Sequence, residues 1–270
     1  MALDADKHSY IANRSDLKAA AGLMTTPVFP LLWESQPLAF ESPQRTQPPP
    51  SSKLNNLGSA FQGNQRFSIQ LANALQRLKN VMLLQHLRDQ DTGGLQSTDL
   101  NLLYKSIIEV EHELLSYPHR GQSDNGAAAG RSEISSREAL ARVTSICFLN
   151  SVIIVTPPST GLGRALTKHL RHAIVDFIDL NPVPRLLRDD LDLLAWALFI
   201  AAQGALGQVE QPWFVSCIAD VISTRRYKRW EEMADAMHQF FYIPYIHEMA
   251  WRPIWDEATR HIALTQTDTA

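Results

Sequence analysis

The chain has 270 residues, 45 % of them hydrophobic, with a formal net charge of -3 at pH 7. That is apolar material for one or two domains with a sizeable core, and it lacks the basic surplus of a chain that neutralises DNA phosphates by itself. Two cysteines, Cys147 and Cys217, exclude a disulfide framework and read as small buried hydrophobes.

Residues 1–65 read as a disordered arm rich in Pro, Ser and Gln. Its start, MALDADKHSYIANR, has no apolar run of the kind a secretory signal needs, so the sequon Asn13-Arg14-Ser15 carries no weight. Seven prolines fall between Pro27 and Pro50, and such a segment buries too little apolar surface to offset its ordering entropy. Within it, PVFPLLWESQPLAF forms an apolar island around Trp33. It reads as a strand-like piece docked on the domain, with a partner-binding motif as the alternative.

Helical order is expected from about residue 66 to 264, with 265–270 a frayed tail. Leu71, Leu75, Leu78 and Met82 recur at helical spacing, and Gly93 and Gly94 stop that helix. Leu100, Leu103, Ile107, Val110 and Leu114 mark the next, capped by Ser97 or Thr98, and the two apolar faces would pair. A loop, YPHRGQSDNGAAAGRS, separates this pair from the rest. Ser135 and Glu138 form a capping box that opens a helix carrying Leu140, Val143, Cys147 and Ile154. The β-branched run Val152–Val155 is read as helical because Pro157 and Pro158 follow at once. Ser159 or Thr160 caps the next helix, with Leu162, Leu166, Leu170, Ala173 and Phe177 inward, and Asn181-Pro182 breaks it.

Then comes the organising stretch, from Pro184 to Glu257, which holds five of the six tryptophans. Leu193 to Ala202 are ten unbroken apolar residues, and a helix apolar on nearly all sides lies inside a protein. It falls short of the ~20 residues that span a bilayer. Asp189, Asp190 and Asp192 suit its first turns, where the helix dipole favours carboxylates. Three further helices follow. One starts near Pro212 with Trp213, Phe214, Ile218, Val221 and Ile222 inward. One carries Trp230, Met233, Met237, Phe240 and Phe241 and ends at Pro244. The last holds Met249, Trp251, Ile254 and Trp255. The expected class is therefore all-α, about eight helices around a buried Leu-rich helix.

Few patterns suggest chemistry. His247-Glu248-x-x-Trp251 is half of a zinc-protease helix, but tryptophan stands where the second His must be. Glu109-x-x-His112 has the spacing of a di-iron ligand pair without the second pair such sites need, and reads as a solvated helix face. His169-x-x-His172 lacks a further ligand at zinc spacing. Gly161-Leu162-Gly163 lacks the preceding strand and third glycine of a dinucleotide loop. No catalytic, cofactor-binding or metal residue is assigned. Arg225, Arg226, Lys228 and Arg229, around Tyr227, form the one candidate patch. It reads as a nuclear-import or nucleic-acid site, or as a helix end whose cations offset the dipole.

One resemblance runs from about Phe67 to Leu264. Leu193, Leu194, Trp196, Leu198, Phe199 and Ile200 match a Leu-rich helix of the form LLLWxLFIGG. Trp213-Phe214-Val215 matches a tryptophan-led helix. Trp230, Glu231, Glu232, Phe240 and Phe241 match a WEE helix with an aromatic end, and Ile254-Trp255-Asp256-Glu257 matches a closing LWEE-like segment. Upstream, ARVTSICFLNSVIIVTPP (141–158) is similar to a helix that ends in a proline pair. In this order the patterns resemble the regulatory domain of fungal-specific transcription factors of the binuclear zinc cluster type. Two departures stand: the family's six-cysteine DNA-binding module is not matched, and Ala201 and Ala202 replace its glycines.

The resemblance implies a nuclear regulator of transcription, with a secondary-metabolite gene cluster as one target class. It would work through protein partners, as a homodimer, as a heterodimer with a zinc-cluster factor, or on the transcription machinery. DNA would be reached only indirectly, with no membrane and no cofactor involved. The alternatives are an accessory protein or enzyme of fungal secondary metabolism and a cytoplasmic helical scaffold.

Overall fold

The computed structural model describes residues 2–31, 33, 48, 52–63, 66–89, 97–117 and 134–267. All regular structure among them is helical, in nine α-helices: α1 (Ala2–Leu23), α2 (Ile69–Asp89), α3 (Ser97–Ser116), α4 (Ser136–Phe148), α5 (Gly161–Leu180), α6 (Arg188–Gly204), α7 (Gln211–Arg225), α8 (Trp230–Met237) and α9 (Pro244–Thr267). The expected all-α class holds. The loop of residues 118–133, most of the proline-rich stretch and the last three residues lie outside the described residues. The chain forms two compact units, one of Met1–Asn55 with Gln65–Ile134, the other of Asn56–Asn64 with Ser135–Ala270. The reading of one helical domain over 66–264 had no such division.

The first unit corrects the reading of the arm, because residues 2–23 form a helix. Leu17, Ala20 and Ala21 of α1 are buried, and α1 packs on α3. Alternating charge had hidden a short apolar stripe. The segment after α1 lies on the same pair. Its Phe29 amide donates to Asp16 at 2.9 Å, and Trp33 Nε1 donates to Glu109 at 2.7 Å. Lys105 Nζ stands 5.7 Å from the Trp33 ring centre, within cation–π range. Glu109 is buried and pairs with Arg77 of α2 at 3.6 Å. So the Glu109–His112 face is not the solvated one expected from spacing alone; an upstream segment covers it. Leu71, Leu75, Leu78 and Met82 of α2, and Leu103, Ile107, Val110 and Leu114 of α3, are all buried, and the two helices pair as their periodicity requires.

In the second unit Ser135 caps α4 as expected, accepting from the Glu138 amide at 3.2 Å. The β-branched run is helical only in its first half: Leu149–Ile153 is one underwound π turn, and Ile154 and Val155 lie beyond it. Val155 then takes a left-handed φ of 56°, a strained setting for a β-branched residue. Thr160 caps α5 through the Gly163 amide at 3.0 Å. Gly163 is required by a close approach, since a Cβ there would lie 2.5 Å from the Pro157 carbonyl oxygen.

All ten residues Leu193 to Ala202 of α6 are buried, as are Asp190, Leu191 and Asp192. α6 packs against α4, α5, α7, α8 and α9. Trp196 sits in a ring cluster with Phe61, Phe148, Phe240 and Phe241, at centroid distances of 5.6–6.3 Å. Phe61 comes from the 3-10 turn Ser59–Phe61, held by Gly58 and Ala60 amides donating to the Phe240 and Gln239 carbonyls at 2.9 Å each. Three expectations change. Trp213 is only half-buried, with Arg171 5.1 Å above its ring. Pro244 opens α9 rather than closing α8, a first-turn position where its missing N–H costs nothing. Met249 is 89 % exposed.

Candidate functional site

Four of the sequence patterns acquire plain structural roles. His247 is fully buried, its ring 4.7 Å from that of Trp251 and 5.7 Å from that of Phe148. Its Nδ1 accepts from the Ile243 amide at 3.0 Å, and its Nε2 is buried without a hydrogen-bond partner. Burial pushes its pKa from 6.5 down to about 4. The unfolded chain therefore takes up a proton below pH 6.5 that the folded chain refuses until about pH 4. Stability from this group is complete above the unfolded value and falls as the pH drops through that window. At roughly 1.4 kcal/mol per pH unit the total is about 3 kcal/mol. Denaturant melts at pH 7, 5.5 and 4 are expected to show this slope, and His247→Phe to flatten it; equal slopes would remove the cause.

Cys147 is buried, its Sγ 3.5 Å from the Leu166 carbonyl oxygen. Burial raises its pKa far above the ordinary thiol value, so it is inert. It lines a cleft of about 310 Å³, counting the open mouth, with Ser151, Thr156, Gly163, Thr167, Ala201 and Gly204. Ser151 donates to the Cys147 carbonyl at 2.7 Å. Thr167 lies 3.1 and 3.2 Å from the Gly163 and Gly204 carbonyls. The Ser151 and Thr167 hydroxyl protons are thus committed to main chain. Gly161 opens α5 as an exposed first-turn residue. His169 and His172 are half-buried and exposed on that helix. Among the described residues no group of three or more His, Cys, Asp or Glu is placed to hold a metal ion. No helix among them is long and apolar enough to cross a membrane.

The basic cluster is where chemistry-bearing groups converge. α7 ends in a left-handed residue, Arg226, with φ 59°. The Tyr227 amide donates to Ile222 O and the Arg226 amide to Ser223 O, the two bonds of a Schellman closure. That turn aims Arg225 and Tyr227 at the first turns of α6. Arg225 Nε donates to Asp192 Oδ1 at 2.9 Å and its Nη2 to Oδ2 at 3.3 Å. The Tyr227 hydroxyl donates to Asp192 Oδ1 and accepts from Arg225 Nη2, each at 2.9 Å. Arg188 Nε stands 4.0 Å from the same carboxylate. Burial, then the Asp192 charge, raise the Tyr227 pKa to about 12. Burial opposes the Arg225 charge, but Asp192 and Tyr227 hold its pKa above the usual value.

Two residues earlier, Arg137 of α4 forks onto Asp190 at 2.6 and 2.7 Å, a bond that raises the arginine's pKa. The four sequence candidates thus divide. Arg225 is committed to Asp192, and Arg229 to Glu232 at 3.4 Å. Arg226 and Lys228 are exposed. Sequence spacing missed Arg188 and Asp192 as members of this site. The available signal was a carboxylate inside an otherwise apolar helix, which is found buried only when a cation is nearby.

No family model, curated protein or solved structure matches this chain.

Proposed function

We propose that the protein is a nuclear regulator of transcription that acts by protein contact, as a dimer or beside a zinc-cluster factor that supplies the DNA contact. The observation that carries this reading is the ordered succession of patterns resembling fungal regulatory domains: the Leu-rich helix, the tryptophan-led helix, the WEE helix and the LWEE-like close. These fall on four consecutive helices, α6 to α9, of one compact unit. The upstream segment that ends in a proline pair falls on α4 and its π turn in the same unit. In this reading the buried Leu-rich helix is the frame on which the others lie, and no residue performs catalysis. A secondary-metabolite gene cluster is the proposed target class, through the resemblance.

The test is a comparison of transcripts between a strain that lacks the protein and its parent. A coherent, neighbouring gene set is expected to rise or fall. Steady transcripts with an accumulating metabolic intermediate would overturn the reading in favour of an accessory or catalytic role.

A further inference from the structure

We propose that the exposed face formed by Arg185, Leu187, Arg188, Arg226 and Lys228 is a docking surface for an acidic, apolar-studded peptide segment of a partner protein. Two separate stretches of chain make this face. The 3-10 turn Val183–Arg185 packs against α7, and Arg188 and Arg225, from opposite ends of α6 and α7, reach the same Asp192 carboxylate. One carboxylate therefore serves two guanidiniums, and the stretch carries a surplus of positive charge in a chain whose formal net charge is -3. Arg185, Arg188, Arg226 and Lys228 are all exposed. Between the first two, Leu187 is 62 % exposed.

Arg226 adds an independent observation. It occupies the left-handed closing position of α7, where glycine is at ease and an arginine side chain adds backbone strain. A charged side chain held there at a cost points to a use outside the fold.

The chemistry favours peptide over duplex DNA. Exposed Asp189 and half-buried Glu232 border the face and would repel a continuous phosphate backbone, whereas a peptide places its charges discretely. Leu187 offers apolar contact that a phosphate backbone cannot use, and that an alternating acidic and apolar segment can.

The inference deepens the regulator reading by naming its contact surface. The test uses the purified full chain, so failure here sinks the surface alone and leaves the transcript comparison to judge the regulator. The probe is a fluorescent 12-residue peptide of alternating Asp/Glu and Leu/Phe, with a 12-base-pair duplex as the competing arm. Saturable peptide binding that weakens with added salt is expected. Arg226→Gly combined with Lys228→Ser is expected to weaken it at least tenfold while the Tm holds or rises, because glycine relieves the turn. Absence of saturable binding, binding unchanged in the double variant, or tighter binding to the duplex would each overturn the proposal.

Discussion

Trp196→Ala is expected to lower unfolding stability by about 3–5 kcal/mol, the range for removing a large aromatic ring from a packed core. Trp196 is fully buried. It meets Phe240 in a stacked pair at 5.6 Å and Phe61 edge-on at 5.7 Å. The four phenylalanines around it come from the 3-10 turn Ser59–Phe61, from α4 and from the turn after α8, so no single neighbour can collapse into the void. Its indole N–H is buried without a partner, and that desolvation already weighs against the native state. Trp196→Phe removes the orphan donor while keeping a ring, and its loss should be clearly smaller. Neither variant keeps the orphan N–H, so urea melts of the two isolate the packing that a ring supplies. Equal losses would show that a phenyl ring recovers none of it.

Asp192→Ala comes next, at about 3–5 kcal/mol, the cost of leaving one member of a buried ion pair without its counterpart. Asp192 is 4 % exposed and accepts from both Arg225 and Tyr227. Without it Arg225 keeps its charge in a half-buried place, and the end of α7 loses its tie to α6. Asp192→Asn keeps shape and accepts one hydrogen bond, so it should lose less. The companion test is Asp192→Ala with Arg225→Met, which removes the stranded charge and should regain part of the loss. No recovery in the double variant would mean the carboxylate acts through the Tyr227 hydroxyl instead. Chemical denaturation at two salt concentrations reads these differences, and the buried pair should be little screened.

Much of the helical order was legible because the apolar periods are long. Ten unbroken apolar residues cannot sit on a surface, and Leu193 to Ala202 are indeed buried. The 3-4 spacing of Leu103, Ile107, Val110 and Leu114 likewise left little choice of face. What periodicity could not supply was pairing between distant residues. The covering of Glu109 by Trp33, 76 positions upstream, leaves no local trace. Nor does the meeting of Arg225 with Asp192 across 33 positions. Prolines misled at position 244 because a helix end and a helix start share the same residue. The N-terminal helix was missed because its buried stripe, Leu17, Ala20 and Ala21, is short and made largely of alanine. For the candidate patch, sequence gave a run of cations; only the turn geometry at Arg226 decided which of them face inward and which do not.

Phe61 carries a consequence for how the protein is made. It completes the ring cluster of a unit whose other rings begin at Phe148. During synthesis it leaves the ribosome about 135 residues before Trp196, on the order of ten seconds earlier at ordinary elongation speeds. For that interval an aromatic side chain bound for an interior has no interior to enter. Expression pieces that start at residue 66 would lack it altogether, and would be born with a hollow beside Trp196. Any attempt to produce the second unit alone has to carry residues 56–64 as a tethered or added strand of chain.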